Sequence, residues 1–101
     1  MHSIESKRAK EILESSSEKV IAVIGDIMLD RYFWGSVSRV SPEAPVPVID
    51  FENETNHLGG AANVANNLKS LGLNPIMCGV IGKDRFGDTV KDLLKESNLS
   101  T

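Results

Sequence analysis

Two places in this 101-residue sequence carry residue types and spacings that could hold a polar ligand, and a third invites the question. Gly59-Gly60 stands directly before the helical run that begins at Ala61. A glycine pair lets the backbone approach a ligand with no Cβ in the way, and the first free N–H groups of the helix point at it with a favourable dipole sign. A tight turn before a helix is the competing reading of the same glycines. Neither phosphate template applies, because the segment is not GxxxxGK[ST] and its glycines do not fall as GxGxxG. Asn63, in the first turn, lies roughly 160–200° around the helix from the apolar stripe, so it is not a core residue. Its amide both donates and accepts, which suits a hydroxyl-rich ligand; the alternative is an ordinary surface asparagine like Asn66 and Asn67. The second place is the acidic pair Asp26 and Asp30, where a metal site is disfavoured because no third ligand is close in sequence. Cys78, amid Ile76, Met77, Val80 and Ile81, reads as a buried small apolar residue rather than a nucleophile.

These residues need elements to position them. Ser3 to about Ser15 reads as a short peripheral helix, with Ser3 a candidate N-cap, Glu5 in the first turn and Ile12 and Leu13 as a thin apolar contact. Val20 to Ile24 is β-rich and apolar on both faces, the pattern of a parallel strand covered by helices on each side. After GDIMLD come RYFWGSVSRV and VPVIDF, which suggest an antiparallel pair. Pro45 and Pro47 keep the second run out of a central position and assign it to an edge or a flap. Ala61, Val64, Ala65, Leu68 and Leu71 form a helical stripe, closed by Gly72 as a left-handed cap. Pro75 introduces a second apolar strand, IMCGVI. Phe86, Val90, Leu93 and Leu94 then mark another helix, with Asp84 as its cap. Strand, flap, helix, strand and helix in this order imply a parallel crossover in an α/β sheet.

Composition narrows the partners. Eleven Lys and Arg against 14 Asp and Glu leave a net charge of -3, so no basic field is present to hold nucleic acid or an anionic bilayer. The longest apolar runs, such as Val20–Ile24, are far short of the ~20 residues that span a membrane. The first 19 residues lack the apolar stretch of a signal peptide. A single cysteine with no partner makes neither a disulfide nor a zinc pattern, and a reducing cytoplasm fits best.

Gly59-Gly60-Ala61-Ala62-Asn63, followed by Ala65, Gly72 and Gly82 at fixed intervals over 24 residues, resembles the first sequence pattern of the ribokinase-like, or phosphofructokinase-B, carbohydrate kinases. Gly25 to Val48, GDIMLDRYFWGSVSRVSPEAPVPV, is similar to a narrower group, the D-glycero-β-D-manno-heptose-7-phosphate kinases, including those fused to an adenylyltransferase that makes ADP-heptose. The resemblance covers roughly residues 20 to 96.

It implies a three-layer parallel α/β fold with a small β flap at about 31–58. Residues 1–19 are then a peripheral helix, and 20–101 the N-terminal part of a sugar kinase domain. Asp30 becomes a sugar-hydroxyl acceptor at the end of the first strand, and Gly59, Gly60 and Asn63 become substrate-facing positions. Asp26 is either a second polar contact or a cap on the turn. Tyr32, Phe33 and Trp34 with Pro45–Val48 form a flap that either clasps a second subunit or packs back on its own domain. Arg39, Ser41 and Glu43 lie at the flap's turn without assigned roles, and His57, a departure from the group, reads as a loop histidine. The family's second pattern, a Gly-Ala-Gly-Asp segment carrying the catalytic base, has no counterpart here. The ATP and Mg²⁺ sites and the base are therefore expected beyond Thr101, and the 101 residues alone are expected to be inactive.

Overall fold

In the computed structural model, which describes residues 2–101, the chain runs α1 (Ser6–Ser16), β1 (Val20–Ile24), β2 (Ile27–Val40), β3 (Pro47–Gly60), α2 (Ala61–Ser70), β4 (Asn74–Cys78) and α3 (Arg85–Glu96). β1 and β4 pair in parallel, from Val20 opposite Asn74 to Ile24 opposite Cys78. On the far side of β4 the Met77 N–H donates to the Ser100 carbonyl at 2.8 Å, and Ile76 bridges Ser100 in parallel. The crossover expected from the element order is thus present, and β4 lies between β1 and the segment that follows α3.

One face of this sheet is covered. Ile21 and Val23 are half-buried and Pro75 and Met77 buried, alternating with exposed neighbours. Met77 joins Ala62 and Ala65 of α2, Val90 and Leu94 of α3, and Leu99 in a core of small and medium side chains. The opposite face, with Val20, Ile24, Ile76 and Cys78, is exposed. Two sequence expectations are corrected here. Among the described residues β1 is covered on one side rather than both, and Cys78 is exposed rather than buried, because the two-residue period of β4 turns it away from both helices.

The long strands form a separate antiparallel ribbon. Its register runs from Ile27 opposite Gly60 to Val40 opposite Pro47, with shifts at Trp34/Gly35 and Val37/Arg39. Each strand has 14 residues, about 46 Å at ~3.3 Å per residue. That length explains why the chain measures 59 × 40 × 20 Å, with a radius of gyration of 19.1 Å against about 13 Å for a compact chain of this size. Pro45 falls in the connecting loop and Pro47 at the first position of β3, where a missing N–H is tolerated. The ribbon is longer than the flap expected at 31–58, since it begins at Ile27 and ends at Gly60.

Helix boundaries follow local chemistry. Gly72 adopts φ 87°, with its N–H bonded to the Lys69 carbonyl and that of Leu73 to the Leu68 carbonyl, the paired bonds of a left-handed cap. Asn98, at φ 52°, closes α3 in the same way and turns Leu99 into the core. α1 starts three residues later than expected. Its N-cap is Glu5, which makes no side-chain bond, and none of its residues is buried. β4 spans Asn74–Cys78 rather than the expected IMCGVI run, and the stripe of α2 is rotated: Ala62 is buried while Val64 and Leu71 are exposed. At α3 the expected cap is present, with the Asp84 carboxylate accepting from the Gly87 N–H at 2.8 Å. Asp84→Ala in the full-length protein should lower unfolding free energy by about 1 kcal/mol, measured by denaturant titration; an unchanged midpoint would mean that another group satisfies the Gly87 N–H.

Candidate functional site

The site grows from the base of the ribbon, where β2 and β3 meet the sheet. Asp30 is the fourth residue of β2, not the end of β1 as expected, because the chain re-enters extended structure at Ile27 immediately after Gly25-Asp26. It stands opposite His57 in the register. The Asp30 carboxylate leans over Gly59: a Cβ built on Gly59 would overlap its Oδ2 and lie 2.9 Å from its Cγ. Gly59 is buried and makes the floor under the acid. Gly60 adopts φ 59°, ψ −134°, a region open in practice to glycine, and turns the chain from β3 into α2. The bend is held by the Ala61 N–H donating to the Asp26 carbonyl at 2.8 Å. The glycine pair is therefore the end of a strand as well as a turn. Asp26 contributes to that turn through its backbone, while its side chain is exposed.

Asp30 and Asn63 line one open cavity of about 400 Å³, together with Tyr32, Asn56, His57 and Leu58 of the ribbon and Asn66, Leu93 and Ser97 of the helices. Both the acid and the amide are exposed. Of the five residues expected to face ligand, Asp30 and Asn63 thus share one concavity. Gly59 lies beneath it, Gly60 forms the bend at its edge, and Asp26 is not among the lining residues. His57 is a strand residue rather than a loop histidine, with its ring 5.2 Å from that of Tyr32 at an edge-on 79°. Tyr32 in turn stacks on Trp34, whose indole N–H donates to the Thr55 hydroxyl at 2.9 Å.

The other face of the ribbon is latched to α3. Arg31 donates to Glu54 at 2.7 Å and lies over the rings of Phe33 and Phe86, at 5.0 and 4.8 Å. Arg85 covers Phe86 at 4.7 Å. The hydrogen bond from Arg31 holds the Glu54 carboxyl below its ordinary range, and the same bond raises Arg31. These contacts fix the angle of the ribbon and hence the position of Asp30 relative to Asn63. Asn56, His57, Asn66, Leu93 and Ser97 were not read from the sequence as cavity residues. Asn66 carried a usable signal, since i and i+3 share a helix face; Asn56 and His57 depend on register and carried none.

A model of the pfkB family of carbohydrate kinases matches residues 18–101. The chain belongs to this family. Among curated relatives, this pfkB-family chain is 50% identical over 84 residues to a protein named bifunctional protein HldE from Magnetococcus marinus, covering 83% of the chain and 17% of that protein. The proteins of the same name from Helicobacter pylori and Wolinella succinogenes are 51% identical over 83 residues and 47% over 90, covering 82% and 89% of the chain and 18% and 19% of theirs. The pfkB-family chain thus spans less than a fifth of the length of these relatives.

Proposed function

We propose that the full-length protein is an ATP-dependent kinase that transfers the γ-phosphoryl group to O1 of D-glycero-β-D-manno-heptose 7-phosphate, on the way to ADP-heptose and lipopolysaccharide precursors, in the cytoplasm. In this reading residues 1–19 are peripheral, and 20–101 are the first part of a ribokinase-like three-layer domain that builds the sugar side of the site. The observation that carries it is the meeting of Asp30 and Asn63 at one open polar cavity, with Gly59 directly beneath the Asp30 carboxylate. A carboxylate is acceptor-only and takes two vicinal hydroxyl hydrogens, each bond worth about 1.5–3 kcal/mol, while the Asn63 amide supplies a donor. The choice of heptose rests on the likeness of Gly25 to Val48.

ATP and Mg²⁺ are the implied partners, and the donor set does not fit a metal here: among the described residues no group of three His, Cys, Asp or Glu could hold one. The proposal assigns the nucleotide, the metal and the catalytic base to sequence beyond Thr101, so no chemical step is derived through them. Among the described residues no helix is long and apolar enough to cross a membrane.

The test is to incubate the full-length protein with ATP, Mg²⁺ and, separately, heptose 7-phosphate, fructose and ribose. ADP release with heptose 7-phosphate is expected. Release with fructose or ribose instead would favour another sugar kinase of the family, and sugar binding with no release would favour a non-catalytic binding or dimerisation module.

The proposal includes a homodimer joined through the ribbons. Tyr32, Phe33 and Trp34 are 49%, 51% and 57% exposed, and large aromatics grouped on a projecting ribbon call for cover. Trp34→Ser should shift the full-length protein toward monomer in light scattering; an unchanged dimer would locate the contact elsewhere.

A further inference from the structure

Asn56 and His57 are among the polar side chains of the cavity that have no part in that reading. The Asn56 Oδ1 is buried and has no hydrogen-bond partner among the described residues. Buried acceptors are almost always paired, so an orphan in the wall of a cavity calls for a donor that arrives with a ligand. In the register Asn56 stands opposite Arg31 and His57 opposite Asp30, and Asn56 borders a second, smaller cavity with Arg31 and Glu54 as well as this one. The cross-strand side-chain bonds of the ribbon are Arg31–Glu54, Trp34–Thr55 and Ser38–Asp50, and His57 and Asp30 take part in none among the described residues. The His57 ring packs edge-on against that of Tyr32 and borders the cavity.

We infer that Asn56 and His57 form a second half of the sugar site, an acceptor and a donor that read ring hydroxyls beyond the pair held by Asp30. The inference rests on the reading of this cavity as the sugar site. Its logic is complementarity. Hydroxyls that give their hydrogens to Asp30 still present lone pairs, and the imidazole N–H supplies a donor for one of them. Asn56 Oδ1, an acceptor, takes the hydrogen of a further hydroxyl. A carboxylate and an amide oxygen in one wall repel an anion, so the polyhydroxyl part of the substrate belongs here and its phosphate points away. Because inverting one carbon moves one hydroxyl out of reach, the pair selects among sugar epimers.

Calorimetric titration of the full-length protein with heptose 7-phosphate, and separately with a non-hydrolysable ATP analogue, tests this with three variants. His57→Phe keeps a ring against Tyr32 but removes the donor, and should weaken sugar-phosphate binding about tenfold with the ATP analogue unaffected. His57→Gln restores an N–H donor and should recover most of that loss. Asn56→Leu should weaken sugar binding similarly while raising the melting temperature of the ligand-free protein, since it replaces an unpaired buried acceptor by an apolar group of similar size. A residue kept only for structure would lower the melting temperature instead. If the parent binds heptose 7-phosphate and His57→Phe and Asn56→Leu bind it equally well, this inference falls and the proposed function stands. If the parent binds no heptose 7-phosphate, the proposed substrate falls and takes the inference with it. Equal losses for sugar phosphate and ATP analogue would overturn the inference by showing a general disturbance.

Discussion

On the proposed function, Asp30→Asn in the full-length protein is expected to weaken sugar-phosphate binding tenfold or more and to leave ATP binding nearly unchanged. The substitution keeps the shape but replaces an acceptor-only carboxylate by an amide that satisfies only part of a hydroxyl pair. Each charge-assisted bond lost is worth about 1.5–3 kcal/mol, and ~1.4 kcal/mol is a factor of ten. Turnover should fall with affinity, because the same bonds orient the reacting oxygen. Stability should hold, since the side chain is exposed and shares none of the ribbon's cross-strand side-chain bonds. Titration of parent and variant with sugar phosphate and with an ATP analogue decides it. Parent-like sugar affinity would make Asp30 a bystander and move the substrate site to other residues.

The two glycines are expected to fail in different ways when each is changed to alanine. At Gly59 the new Cβ meets the Asp30 carboxylate, a group that can swing away about its own side-chain torsions. Gly59→Ala should therefore cut sugar affinity about as much as Asp30→Asn, through displacement of the acid, with a stability loss at the low end of the ~1–3 kcal/mol seen for overpacking. At Gly60 the Cβ would overlap the Asp26 carbonyl oxygen and approach Met28 Cγ at 3.1 Å, in a backbone conformation with φ 59°. Backbone cannot swing away. Gly60→Ala should cost backbone strain of ~1–3 kcal/mol together with overpacking of ~1–3 kcal/mol, a loss visible in the denaturation midpoint. Coupling offers a stricter check: Gly59→Ala combined with Asp30→Asn should lose little more sugar affinity than either alone, since both act on one carboxylate. Additive losses would mean that Gly59 acts on the ligand directly rather than through Asp30.

Several elements were determined by the sequence itself, because the forces that set them act within a few residues. Asp84 caps α3 and Gly72 closes α2 through bonds no more than five residues long. The prolines at 45 and 47 exclude a central strand by removing donors at their own positions. The Gly-Gly-Ala-Ala-Asn run and its spaced glycines carried the family, which the match over residues 18–101 bears out. What the tertiary structure decided depends on contacts distant in sequence. Alternation indicates that Asp30, Tyr32 and Trp34 share a face, but the two-residue period alone does not say what lies opposite them. Only the register of β2 against β3 brings His57 across from Asp30, into the wall that Asn63 shares from α2. The same limit accounts for Cys78, Val64 and Leu71: an apolar pattern marks residues able to be buried, whereas exposure follows from which face of β4 and α2 the neighbouring elements cover.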